Sequence, residues 1–448
     1  MRALAPVLVV LASGCGANGD ELDPVSALDS YARSVAAALE PRWTGPRVEP
    51  PRPEPRPLAV GAFEGTTAPV AVHFGATVSP ERARRALRVL EGVVTQLERG
   101  GWPAPPPDGP LGGSPSFDLY ITTPSSGESN LTWADAHADG PVAWSLLDAV
   151  SAWARVDGSV PDALLESCVT DAYAQAMLLA LEPAEARVWR RATAAWITGR
   201  LTGRWGCEDA VVEQQRQSWR GWVSGALGDG SGAGALLESF ARRADGGSGW
   251  IWSEAWQVAR QRTWEGDGLR ASPDLWAVLR AMFPRPPAEL TSLLRQIALD
   301  RYVAYPAGTQ PPSYWRTRWE RLPAAAPPFE PELERLGTAY ARVDVRAAPP
   351  GSALRVWLRG ERGVRWALGL LRLDDGGREL SRIVAPSLEE PRAYLRAELF
   401  DGTAEVVVAV TNFGAGDADA DEPDASARSF ELIVDRGDGG EEAAPPTR

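Results

Sequence analysis

Few side chains in this 448-residue sequence are equipped for covalent or metal chemistry. There are two histidines, His73 and His137, and two cysteines beyond the N-terminal region, Cys168 and Cys207. The sequence contains no lysine, so all 46 basic residues are arginine. A guanidinium cannot form a Schiff base or serve as a general base, which removes both chemistries. No G-x-S-x-G stretch is present, and neither histidine lies in a recognisable partner motif, so a serine triad has no support. A cysteine nucleophile would need His73 or His137 brought beside it by the fold. A metal site made from Cys168, Asp171 and Cys207 would have an incomplete ligand set. P-loop and dinucleotide fingerprints are absent. Four aspartates, Asp417, Asp419, Asp421 and Asp424, hint at calcium. Without the glycine at the sixth loop position, and with Arg428 at the twelfth, they read as a solvated acidic loop.

The first fifteen residues have the character of a targeting signal. Arg2 supplies the positive end, "ALAPVLVVLA" the apolar stretch, and "ASGC" ends at Cys15. The pattern resembles a bacterial lipoprotein signal peptide whose cysteine is acylated. It predicts an exported chain held to a membrane by its N-terminal lipid, with Gly16 after the cysteine favouring the outer membrane. The apolar run is too short to span a bilayer. In an oxidising envelope, Cys168 and Cys207 read first as a disulfide. It would close a loop of some forty residues. The net charge of −13 argues against nucleic acid and against an anionic membrane surface as partners.

Two stretches share a layout that bears on chemistry: "ESCVTDAYAQ" (166–175) and "RATAAW" (191–196). Zinc peptidases of the gluzincin type carry two histidines at i and i+4 on one helix, with a glutamate after the first as general base. A second helix supplies a glutamate ligand after eighteen intervening residues. Gln175 takes the place of a glutamine often seen after the second histidine, and Thr193-Ala194-Ala195-Trp196 matches the residues that follow the third ligand. On that register Cys168, Val169 and Ala172 stand at the first histidine, the base and the second histidine. Arg191 stands at the third ligand. Over roughly 60–435 the chain thus resembles a family of bacterial lipoprotein metalloproteases of the HExxH clan. The resemblance implies an α+β fold, with a gluzincin-like domain followed by an all-β sandwich. It also implies that the ligands, the base and therefore zinc are lost. Val169 cannot accept a proton, Ala172 cannot ligate, and Arg191 would oppose a dication. A disulfide from Cys168 would replace the metal as the cross-link between helices, and Asp171 or Glu166 could pair with Arg191. The emptied cleft, with Asp171, Gln175 and Trp196 as candidates, would bind a protein or peptide without cleaving it. Two other readings stay open: an active metalloprotease with a non-standard site, and a glycan-binding or adhesion role for the Trp-rich surface and the sandwich.

The elements that must position these residues are marked in the sequence. Residues 1–15 form the signal, and 16–57 a short helix and a proline-rich spacer. Residues 58–304 form the α+β domain. Within it, "APVAVHFGATV", "FDLYITT" and "PVAWSLLDAV" read as strands. "SPERARRALRVLEGVVTQLERGG" reads as a helix capped by Ser79, with Pro80 in its first turn and Gly100 at its end. "GWIWSEAWQVARQRTWEG" and "SPDLWAVLRAMF" are also helical patterns. Residues 305–334 are a proline-rich connection. Beyond it the apolar period changes to two, predicting a β-sandwich over 335–437 and a disordered tail over 438–448.

Overall fold

A computed structural model describes residues 47–48, 55–106, 112–113, 115–123, 134–138, 151–208, 211–221, 231–259, 263–265, 268–270, 275–283, 290–303, 314–322, 324–325, 332–385, 392–415 and 427–437. Mixed α+β architecture is seen throughout. The first strand, Arg47–Val48 (β1), lies apart from the main sheet. That sheet consists of Gly61–Glu64 (β2), Val70–Phe74 (β3), Phe117–Thr122 (β4), Ala134–Ala138 (β5) and Ala152–Asp157 (β6), in the order β2-β3-β4-β6-β5. Its three central strands are parallel, and both edges are antiparallel. Every residue of β3 and β4 is buried, which is why "VAVHF" and "FDLYIT" are almost unbroken apolar runs.

Helix α1, Pro80–Arg99, covers this sheet. Ser79 Oγ accepts the N–H of Arg82, and Ala83, Ala86, Leu90, Val93, Val94 and Leu97 make its buried face. Helix α2, Leu165–Leu181, is different in kind. It is buried on all sides, Glu166 alone excepted. Such a helix belongs to the interior. It packs against β5, β6, α1 and the next helix, α3 (Arg187–Thr202). Gly203 ends α3 at φ 77°, a left-handed cap that glycine takes without a Cβ clash. Helices α4 (Val211–Arg216), α5 (Gly234–Asp245), α6 (Trp250–Ala259), α7 (Leu275–Met282) and α8 (Leu290–Val303) follow, with a small ribbon of Thr263–Glu265 (β7) and Gly268–Arg270 (β8) between α6 and α7.

Two further sheets lie face to face. One comprises Glu379–Val384 (β14), Val364–Leu373 (β13), Glu405–Ala415 (β16), Thr338–Asp344 (β11) and Tyr314–Arg318 (β9), in that order. The other comprises Ala324–Ala325 (β10), Phe430–Gly437 (β17), Ala353–Gly360 (β12) and Arg392–Glu398 (β15). Leu354, Val356, Leu358, Leu432 and Val434 meet Leu368, Leu370, Val406, Val408 and Val410 in the core between them. The opposite face of the five-stranded sheet is also buried. There Tyr340, Leu371, Leu373, Val407 and Ala409 pack on Leu299 and Tyr302 of α8. Both faces of β16 are therefore dry, which accounts for its run "VVVAV".

The boundaries differ from the sequence reading in several places, and Thr263–Glu265, expected at the end of a helix, is strand β7. Residues 305–334 are not merely a connection. Their prolines flank Tyr314–Arg318 and Ala324–Ala325, which join the two sheets as β9 and β10. The spacer's Arg47 and Val48 pair with Arg270 and Leu269 of β8. Helix α8, placed with the first domain, covers the sandwich. The reading of 141–150 as a strand, Cys15 and the signal, the acidic loop at 417–424 and the tail at 438–448 lie outside the described residues.

Candidate functional site

Cys168 and Cys207 are joined in a disulfide, with a Cα–Cα distance of 4.1 Å. The bridge ties α2 to the segment following α3. Both residues are buried in the main core, as are Val169 and Ala172. None of these side chains suits a zinc ion. Cys168 has no thiolate to offer, Val169 and Ala172 carry no donor, and Arg191 is a cation. Among the described residues, no group of three or more His, Cys, Asp and Glu side chains comes together as a metal site.

Arg191 is almost fully buried, and its partners lie on β5. Nη1 donates to the Ala134 carbonyl and Nη2 to Asp135 Oδ1, each at 2.9 Å. Arg187 lies 3.4 Å from the other carboxylate oxygen, Asp135 Oδ2. The first helical turns of α3 are thereby tied to the outer strand of the sheet, which among the described residues pairs with β6 alone. Beside this tie is a cavity of about 140 Å3, lined by Asp135, Ala136, His137, Gln175, Leu179 and the arginines 187, 190 and 191. Three guanidinium groups thus face one carboxylate. Arg190 Nη1 donates to the carbonyls of Pro183 and Glu185, each at 3.1 Å. Desolvation lowers its pKa to about 10; Glu185 opposes the shift, while Arg187 and Arg191 add to it. It remains charged at neutral pH.

Gln175 reaches the cavity from α2. Its Nε2 donates to Asp171 Oδ2 at 2.8 Å. Asp171 therefore acts as a positioner of Gln175 from inside the helix. Trp196, the third cleft candidate, is elsewhere. Its Nε1 donates to Glu238 Oε2 at 3.0 Å and its ring packs in the core. Glu166 lines a separate groove with Arg85, Arg88 and Gln96 of α1. Of the residues expected at one cleft, Gln175 and Arg191 line this cavity, whereas Cys168, Val169, Ala172 and Trp196 do not. It missed Asp135, Arg187 and Arg190. The signal for the arginines was present, since 187, 190 and 191 fall at i, i+3 and i+4 on one helical face.

The histidines are accounted for separately. His73 Nε2 lies 2.8 Å from Asp118 Oδ1, with Arg56 on the other carboxylate oxygen and Tyr120 stacked on the ring. His137 stacks on Trp153 with centroids 4.3 Å apart. Neither approaches a reactive nucleophile among the contacts described. Glu254 on α6 is 1 % exposed, and neither carboxylate oxygen has a hydrogen-bond partner. Desolvation pushes it up to about 8.

No family profile matches the chain, and no curated protein sequence does either. Among solved structures, the pre-peptidase C-terminal domain of a collagenase from Bacillus anthracis is 10% identical, over 28% of this chain and 99% of that one, with a TM-score of 0.19. CorA, a surface-associated copper-binding protein of Methylomicrobium album BG8, is 7% identical over 27% and 98%, at 0.18. The xylan-binding domain CBM22-1 of Paenibacillus barcinonensis is 6% identical over 21% and 62%, at 0.15. Scores this low carry no conclusion about function.

Proposed function

We propose that the chain is a catalytically inactive relative of the HExxH zinc peptidases. On this reading it is held in the cell envelope by a lipid on Cys15 and binds a protein or peptide instead of cleaving it. The observation that carries the proposal is what fills the four catalytic positions. Cys168 is committed to a disulfide, Val169 and Ala172 to the core, and Arg191 to Asp135. At these four positions stand no proton acceptor and no zinc ligand for the peptidase reaction. Support for retained binding comes from β5, which among the described residues lies at the edge of the sheet and runs beside the cavity. An extended peptide can add to such an edge through main-chain hydrogen bonds.

Metal analysis of the purified chain together with a casein digestion assay tests this reading. The expected result is no stoichiometric zinc and no cleavage, with retention of extended peptides from an immobilised library. Stoichiometric zinc accompanied by cleavage would overturn it in favour of an active metalloprotease with a non-standard site.

A further inference from the structure

The cavity beside β5 has a chemistry of its own, unlike that of a metal site. Arg187, Arg190 and Arg191 stand on the first turns of α3, where the helix also presents its positive end. Arg191 is held by Asp135 and Ala134 and forms a fixed wall. Arg190 uses Nη1 on Pro183 and Glu185, and no hydrogen bond among the described residues engages its Nη2. Arg187 is 57% exposed at its side chain and touches Asp135 through Nη2 alone. Two guanidinium edges are therefore available in a protein whose net charge is −13.

Gln175 supplies an independent observation. The residue is 4% exposed, and Asp171 fixes its orientation by accepting from Nε2. Gln175 lines the cavity, and no hydrogen bond among the described residues engages its Oε1. The space suits a small group. At about 140 Å3 it exceeds a few waters but falls short of the ~300 Å3 at which drug-sized pockets begin.

We propose that this cavity is a carboxylate-binding subsite for the C-terminal residue of a peptide: Arg187 and Arg190 take the terminal carboxylate, and Gln175 Oε1 accepts the N–H of the same residue. The assignment rests on the peptide-binding reading and narrows its ligand. Arginine is suited to this task because its planar donors match a carboxylate in pairs. Arg190 is desolvated, with Glu185 and Asp135 favouring its charge and Arg187 and Arg191 opposing it, and an incoming carboxylate adds to the favourable side.

The test follows the arginine Nε–H signals of the full-length, isotope-labelled chain by NMR during titration. The probes are N-acetyl-alanine, N-acetyl-alanine amide, acetate, and an aspartate derivative blocked at both ends, which carries a side-chain carboxylate only. N-acetyl-alanine is expected to bind best, with amidation or Arg190→Gln each weakening it roughly tenfold or more. Arg187→Gln, at an exposed position, gives a second variant if Arg190→Gln fails to fold. Equal binding of acid and amide, binding no tighter than acetate, or binding undiminished in the variant overturns the proposal. Preference for the blocked aspartate overturns the C-terminal assignment. Library peptides retained equally with free and amidated ends would sink the subsite while leaving peptide binding intact.

Discussion

Glu254 shows how burial alone changes what a residue does. With no donor on either oxygen, its carboxyl stays protonated to about pH 8, against 4.5 for the ordinary group. Between those values the folded chain keeps a proton that the unfolded chain has released. Stability therefore falls as pH rises through that window and is level above it. Glu254→Gln removes the ionisable group while keeping its shape. Thermal midpoints measured from pH 5 to 9 should lose this slope, with the variant gaining on the order of a few kcal/mol over wild type at the alkaline end. A parallel slope in both proteins would show that other groups govern the pH response. Such a group was not legible in "GWIWSEAWQ", because desolvation depends on neighbours contributed by other helices. Arg191 was legible as a position, since the eighteen-residue interval marked it. Its partner Asp135 was not, for "ADAHA" is short and its alternation covers only five residues.

At the scale of elements, the α2–α3 pair relies on its covalent link. Cys168 and Cys207 are 39 residues apart, so the bridge removes unfolded-state freedom worth roughly 3–4 kcal/mol in the chain-entropy account. Replacing both cysteines with alanine should lower the denaturant midpoint and steepen the transition, because the unbridged denatured chain exposes more surface. Alkylation of the denatured wild-type chain should find neither thiol of this pair free. Elements with a strong period were read well. Helix α1 runs from Pro80 to Arg99 between the two caps that its sequence announced. The alternating strands after 335 also stand close to where their pattern put them. The segments that escaped were those whose character comes from partners. Tyr314–Arg318 is a strand because β11 lies beside it, and Ala152–Asp157 because it sits between β4 and β5.

Across the whole molecule, α8 makes one body of the two halves. Arg301 is buried and donates to Gln215 Oε1 at 2.9 Å, to the Ser218 carbonyl at 3.2 Å, and to that of Gln214. The main-chain N–H groups of Glu334 and Thr338 donate to Trp219 and Ser218. On its other side, α8 covers the apolar face of β11, β13 and β16. Expression of 335–437 alone should give an aggregating product, because Tyr340, Leu371, Leu373 and Val407 would meet water. Extending the fragment to 290–437 should restore a soluble species by size-exclusion chromatography. Equal solubility of the two fragments would show that this face needs no cover. The buried bridge bears in turn on the order in which the molecule is made. Thiol–disulfide exchange requires a sulfur that an attacking thiolate can reach, and the core closes over Cys168 and Cys207. Oxidation must come while the chain is still open, and the finished bridge is shielded from later exchange. Its chemistry therefore belongs to the protein's assembly, and a working cycle of reduction and reoxidation would require the core to open each time.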